Sequence, residues 1–332
     1  MKVLVVGCGS IGERHIRNLK SLDMEEIFAC DRDQERLEFI RNEYGIKTFH
    51  DYEEAASREA INAAIVCTPT SNHVAPALFA IRQGWHVFVE KPLSHTLDGV
   101  DDLIKEARRK NVTLMAGFNL RFHPNLQQIK KLLDGEAIGR IISARSHFGF
   151  HFLGRLPYHH WTDYREDYAA KRIGGGVILD AATHHIDVLN WFMGNIKEVF
   201  CYSEKAGGLD LEAEDIAEIL LKFESGAMAS LHVNFIQQPY QNKCEIIGDK
   251  GTITWDFTSN IVNLFSATDD RWQTFPENNF DHNETYVQEM VHFMKCIHGE
   301  EEPPVDGIGG KTILEVALAA RKSAETGKII TV

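Results

Sequence analysis

The sequence predicts an α/β protein in two parts: a doubly wound parallel sheet over residues 1–118, then an α+β part with a mostly antiparallel open sheet over 119–332. Three observations predict it. Short apolar runs alternate with helix-length segments up to about residue 116. A glycine-rich turn follows directly on the first of these runs. Beyond residue 119, strand-like runs succeed one another through tight turns, with few helical segments among them.

The first element is Val3-Leu4-Val5-Val6, apolar and rich in β-branched residues, as a strand buried on both faces requires. Gly7-Cys8-Gly9-Ser10-Ile11-Gly12 follows, and 13–22 then reads as a helix. A pyrophosphate needs this order. The first glycine permits the tight turn, the second lets the backbone approach the phosphates, and the third lets helix and strand pack closely. The anion then rests on N–H groups around Ser10, Ile11 and Gly12, at a helix N-terminus whose dipole also favours negative charge. A second apolar run, Glu26-Ile27-Phe28-Ala29-Cys30, ends on Asp31, 19 positions beyond Gly12. That is where a carboxylate accepts hydrogen bonds from an adenosine ribose. Strand, turn, helix, strand and acid in this order predict a dinucleotide-binding Rossmann domain. Asp31 repels a 2′-phosphate, so NAD is expected over NADP, with Arg32 beside it softening the preference.

The alternation continues. Helix is expected over 34–44, strand at Thr48-Phe49, a short acidic helix over 53–57 and a buried strand over 63–67. The turn Thr68-Pro69-Thr70-Ser71-Asn72-His73 leads into a helix over 74–83. A strand over 86–89 runs into Glu90-Lys91-Pro92, and a helix over 97–110 precedes a strand over 112–116. Ligands of such sheets lie beyond the carboxyl ends of the strands. The turns 68–73 and 90–92 therefore fall on the edge that carries the glycine turn. A lysine after a buried strand is ordinarily a solvated charge. Lys91 differs in standing at that edge, between Glu90 and a proline that stiffens the turn.

Together the glycine turn, Thr68-Pro69-x-x-x-His73, Glu90-Lys91-Pro92 and Gly117-Phe118-Asn119-x-Arg121-Phe122-x-Pro124 resemble the glucose–fructose oxidoreductase/inositol dehydrogenase (Gfo/Idh/MocA) family. The resemblance spans nearly the whole chain. It implies that Thr68, Pro69, His73, Glu90, Lys91 and Asn119 contact the cofactor and that Lys91 sits in the active site.

In the second part a helix over 124–133 precedes a long strand over 141–148. Residues 151–173 form a polar, aromatic connection containing His151, Arg155, Tyr158, His159, His160, Trp161, Tyr164, Arg165 and Tyr168. A connection of this length is often functional, and its plain alternative is a surface insertion. Gly174-Gly175-Gly176 opens an expected helix over 177–193. On it Asp180 and His184 are four apart and share a face. A carboxylate so placed can orient an imidazole and stabilise its protonated form, as a general base near neutral pH requires. Such a pair is ordinarily a helix-surface contact, but Gly-Gly-Gly-x-x-x-Asp-x-x-x-His-x-x-Asp also matches the family's second signature. His185 points about 100° away and reads as packing; Asp187 is read as helping to orient His184. Adjacent histidines are poor helix ligands and no H-E-x-x-H or cysteine set occurs, so no metal site is expected.

Strand-like runs follow over 199–204, 216–223, 227–235, 243–247, 252–255 and 261–265. In the family such a sheet pairs subunits through one face, which makes a homodimer or homotetramer the expected assembly. Helices over 283–298 and 310–326 close the chain, the first with Tyr286, Met290, Phe293 and Ile297 on one face. The resemblance places Tyr286 near the nicotinamide.

The chain has 332 residues, 44% hydrophobic, with 48 acidic against 35 basic side chains and a net charge of −13. This balance argues against nucleic acid or an anionic membrane as the main partner. The six cysteines form no C-x-x-C pair and read as reduced core thiols. No signal peptide is seen, and no apolar run reaches the ~18 residues of a membrane span, so a cytoplasmic protein is expected.

The reading is an NAD-dependent oxidoreductase, with NADP as the alternative cofactor, acting on a hydroxyl of a sugar, cyclitol or nucleotide-sugar. His184 is the base, Lys91 the donor to the reacting oxygen, and Asp180 the residue that holds His184. Arg121, Trp161, Arg165, Arg172, Asp180, His184 and Tyr286 are the expected substrate contacts. The basic residues before the glycine run serve either solubility or capture of an anionic group. A cofactor-binding sensor without turnover, and a redox-neutral NAD-dependent glycoside-cleaving enzyme, are the alternatives.

Overall fold

The structure is a computed structural model and describes residues 1–24, 26–154, 163–277 and 280–332. Its contacts divide the chain into two units. The described parts of the first are 1–24, 26–119 and 283–314; those of the second are 120–154, 163–277, 280–282 and 315–332.

The first unit alternates as expected: β1 (Val3–Val6), α1 (Ser10–Ser21), β2 (Ile27–Cys30), α2 (Gln34–Tyr44), β3 (Lys47–Phe49), α3 (Tyr52–Arg58), β4 (Ala63–Val66), α4 (Val74–Gln83), β5 (His86–Glu90), α5 (Val100–Lys110) and β6 (Leu114–Gly117). The strands form one parallel sheet in the order β3-β2-β1-β4-β5-β6. All four residues of β1 are buried, each apolar side chain gaining about 1.5–3 kcal/mol over exposure. Local chemistry sets the helix ends. The Asp33 side chain caps α2 by accepting from the N–H groups of Glu35 and Arg36, and Gly45 ends that helix at φ 65°. The chain order reverses at β1, between β2 and β4, which opens a crevice at the strands' carboxyl ends.

The second unit contains α6 (Pro124–Asp134), β7 (Ile141–His151), α7 (Thr183–Met193), β8 (Ile196–Glu204), β9 (Ile216–Phe223), β10 (Met228–Asn234), β11 (Ile236–Gly248), β12 (Gly251–Asp256), β13 (Ile261–Ser266) and β14 (Arg271–Pro276). Two helices follow, α8 (Asn283–Ile297), which belongs to the first unit, and α9 (Gly307–Thr326); β15 (Ile330–Thr331) ends the chain. The second sheet runs β14-β13-β12-β11-β7-β10-β9-β8-β15. Its strands are antiparallel except for the β7–β10 pair. Burial alternates along β9 and β12, so one face is packed and the other exposed.

Three features differ from the sequence expectation. Strands β7 and β11 are longer than their apolar cores, because sheet pairing continues through polar residues such as Gln241 and Asn242. Strand β14 carries no alternating burial and is held by pairing to β13 alone. Residues 178–182 form a π-turn ahead of α7 where a continuous α-helix was expected. Among the described residues no helix is long and apolar enough to cross a membrane.

Candidate active site

The glycine turn meets its steric requirements. Gly7 has φ +94°, and a Cβ there would lie 2.8 Å from the backbone of Cys67 and Thr68. A Cβ on Gly12 would stand 1.9 Å from the Gly7 carbonyl oxygen, so α1 packs onto the turn only without a side chain. Gly9 is different: a Cβ there meets nothing within 4 Å. Protein packing does not demand that glycine, and the open approach it leaves suits a phosphate. Gly9 also gives α1 no side-chain cap, so the helix N-terminus presents backbone donors.

Asp31, at the carboxyl end of β2, is held by main-chain donors. Cys8 N–H donates to its Oδ2 at 2.6 Å and Asp33 N–H to its Oδ1 at 3.0 Å. Each oxygen keeps lone-pair capacity for a ribose hydroxyl. Arg32 beside it is exposed. These residues fit a dinucleotide whose adenosine ribose is unphosphorylated. Asp31→Ala is expected to weaken NAD binding at least tenfold and NADP binding far less, as titration of both cofactors would measure. Equal losses would mean the ribose is held elsewhere.

Beyond β5, Glu90 is buried, its Oε1 2.7 Å from His15 Nε2, and its Oε2 accepts the Lys91 N–H at 3.2 Å. Burial works to raise the Glu90 carboxyl, yet His15, Lys91 and His73 outweigh it and hold the group below its ordinary value. His73, expected at the cofactor, has both ring nitrogens against backbone carbonyls: Nδ1 lies 2.9 Å from Pro92 O and Nε2 2.7 Å from Thr68 O. It joins the two turns, and burial pushes its imidazole down. Asn119 is likewise buried, its amide donating to Thr285 Oγ1 at 2.8 Å. Tyr286 lies on α8, its ring 4.5 Å from the Arg14 guanidinium and 6.2 Å from the His15 ring. Burial pushes its phenol up to about 12.

In the second unit, Gly176 (φ +83°) opens the segment that bears Asp180 and His184. A Cβ there would press on the Glu214 carboxylate and the Arg321 guanidinium. Arg321 Nη2 donates to Glu214 at 2.8 Å and also to Gly175 O. Glu214 takes the Ile178 N–H at 3.3 Å, so this ion pair secures the start of the π-turn. Asp180 is buried in that turn and accepts the Tyr168 hydroxyl; His184, half-buried, stands in the first turn of α7. A π-turn frequently marks a functional position in a helix.

Several neighbours are committed elsewhere. Asp187, expected beside His184, is wholly buried and pairs bidentately with Arg121, Oδ2 to Nε at 2.8 Å and Oδ1 to Nη2 at 2.7 Å. Burial alone would raise its carboxyl, and Arg121 opposes that rise. The Arg121 guanidinium also lies 4.7 Å from the Trp191 ring, so this expected substrate contact has two donors and a face occupied. Breaking such a buried pair costs about 3–5 kcal/mol, which makes Arg121 a structural cation first. His185 is buried, its Nδ1 2.9 Å from Ser146 Oγ, and burial takes it down to about 4. Arg165 is exposed and forks onto Asp163 at 2.7–3.0 Å. Arg172 is exposed too, with its N–H on Glu212 at 3.2 Å. Trp161, with Arg155, Tyr158, His159 and His160, lies outside the described residues. Among the described residues no group of three or more His, Cys, Asp or Glu is arranged to hold a metal ion.

Sequence reasoning passed over His15 and Arg321, the cation that pairs with Glu214. His15 does carry a signal, because three positions after Gly12 it lies on the face of α1 that bears the turn's third glycine.

Comparison with known proteins agrees with this construction. Residues 1–118 match the family model described as the oxidoreductase family with an NAD-binding Rossmann fold, and 126–254 match the GFO/IDH/MocA C-terminal domain. The chain is 30% identical to myo-inositol 2-dehydrogenase of Thermotoga maritima, covering 98% of this chain and 96% of that one. It is 26% identical to the NAD⁺-dependent scyllo-inositol 2-dehydrogenase of Bacillus subtilis, over 98% and 95% respectively. The solved structure of a probable dehydrogenase from Thermotoga maritima superposes with a TM-score of 0.81 at 27% identity, covering 100% of this chain and 98% of that one. With family models matched over residues 1–118 and 126–254 and the glycine turn built as a dinucleotide requires, the chain belongs to the GFO/IDH/MocA oxidoreductase family.

Proposed function

We propose that this chain is an NAD-dependent dehydrogenase acting on a secondary hydroxyl of a cyclitol, sugar or nucleotide-sugar, with NADP as a weaker cofactor. The observation that carries the reading is full-length likeness to two inositol dehydrogenases in a chain that keeps both Lys91 and the Asp180–His184 pair. The backbone of residues 9–12 would hold the pyrophosphate and Asp31 the adenosine ribose. When bound, the nicotinamide supplies the hydride acceptor.

The chain's own residues supply position and charge. His184 removes the proton of the substrate hydroxyl and returns it when the reaction runs toward the alcohol. Asp180, held by Tyr168, keeps the imidazole oriented. Lys91 hydrogen-bonds the reacting oxygen and stabilises its developing negative charge. For its setting we propose a reducing cytoplasm, supported by six free cysteines, all buried. We also propose self-association through the exposed face of the second sheet, supported by the outward Tyr202, Leu220 and Met228 on neighbouring strands.

The test is NADH formation by the purified chain with myo-inositol, scyllo-inositol, free hexoses and nucleotide-linked sugars. At least one cyclitol or sugar is expected to yield NADH. NADH binding with no turnover across the panel would favour the sensor, and product release without net NADH would favour glycoside cleavage.

A further inference from the structure

Two buried histidines hold the turn that carries Lys91, one at each side. His15, from the helix that follows the glycine turn, is wholly buried with Nε2 2.7 Å from Glu90 Oε1. His73, from the turn after β4, reaches Pro92 O at 2.9 Å and Thr68 O at 2.7 Å. Residues 90–92 are thus tied through imidazoles to helix α1 and to the turn that follows β4. The His15 end is chemically the more telling. A carboxylate only accepts, so Nε2 carries the proton of that bond. His15 Nδ1 meets no hydrogen-bond partner among the described residues, and the ring lies edge-on to Phe88 at 5.4 Å and to Tyr286 at 6.2 Å. Such an apolar enclosure is an expensive place for a histidine unless its one polar contact matters.

We propose that His15 is a positioning residue for Lys91, acting through Glu90: it keeps the Glu90 carboxylate charged and in place, and that carboxylate orients the Lys91 backbone and supplies the anion beside its ammonium. The inference rests on the role given to Lys91 above. The chain of contacts is continuous. Imidazole N–H meets Oε1, and Oε2 meets the Lys91 N–H. Without the His15 donor, one oxygen of a buried carboxylate is left bare, and the carboxyl then takes up a proton more readily. The other titratable or charged groups that face this cluster are Arg14 from α1, Cys67 after β4, His73, and Tyr286 and Glu289 from α8.

The test compares His15→Leu, His15→Gln and Glu90→Gln with the parent. Glutamine places an amide N–H where Nε2 stood, so His15→Gln keeps the bond and His15→Leu removes it. His15→Leu is expected to lower kcat by about tenfold or more and to move the acid limb of the kcat profile about one pH unit higher, because the Glu90 carboxyl then protonates more readily. Its NADH dissociation constant should stay within about threefold of the parent's. His15→Gln should restore most of kcat and return the limb. If His15→Leu does not fold, Glu90→Gln serves in its place, because it keeps the shape, removes the charge and should give a like loss of kcat across the whole profile. A profile that does not move, or a loss confined to NADH affinity, overturns the proposal. Lys91→Ala separates the two readings: full turnover in that variant refutes the role of Lys91 itself, whereas lost turnover there beside an unaltered His15→Leu refutes only the part given to His15.

Discussion

Lys91→Ala and His184→Ala are each expected to lower turnover by orders of magnitude while NADH affinity stays within a few-fold. For His184 the expected loss is roughly 10²–10⁴, the range supplied by a positioned general base. For Lys91 it is roughly 10²–10³, the cost of removing one donor from a developing oxyanion. Both follow from what each residue is asked to do when the hydroxyl carbon gives up its hydride. Neither residue belongs to the glycine turn or to Asp31, so fluorescence titration with NADH should scarcely register their loss. Steady-state rates at saturating cofactor and substrate measure the effect directly. Unchanged turnover in either variant would remove that residue from the mechanism.

A second large effect is expected from a single methyl group at the cofactor turn. The Cβ of Gly12→Ala would stand 1.9 Å from the Gly7 carbonyl oxygen, a backbone atom that cannot swing aside. Helix α1 must lift from the turn, and its N–H groups then miss the phosphates. The NADH dissociation constant should rise by about a hundredfold or more, worth ~3 kcal/mol. Gly9→Ala makes the informative contrast. Its Cβ touches no protein atom, so the melting temperature should hold while the dinucleotide loses its close backbone approach. NADH binding at the parent's strength by Gly12→Ala would show that the phosphates do not rest on this turn.

Much of this protein is legible in the order of its residues. Apolar runs of four or five between helix-length segments announce a parallel sheet, because strands covered on both faces leave no polar side. The glycine turn is legible for a steric reason: at Gly7 and Gly12 no other residue fits. Charge partners are not. Asp187 sits three positions from His184 and looks available to it, but Arg121, 66 positions away, claims both its oxygens. Arg165 reads as an anion-binding side chain, and Asp163 two positions earlier accepts its fork. The π-turn at 178–182 escapes the helical pattern because one widened turn leaves the apolar spacing around it intact.

The residues in order determined the two-part architecture, the dinucleotide turn, the acid that ends β2, and which side chains are chemically able to act. Periodicity and glycine placement are local properties, written wherever backbone geometry or burial constrains each position in turn. Only the tertiary structure decided who meets whom: His15 with Glu90, His73 between two turns, Arg121 with Asp187, and α8 counted with the first unit. The His15–Glu90 and Arg121–Asp187 pairings span 75 and 66 positions. In the first unit the contacts of His15 and His73 exist because strand order 3-2-1-4-5-6 sets β1, β4 and β5 side by side, and that order is set by the packing of the whole sheet.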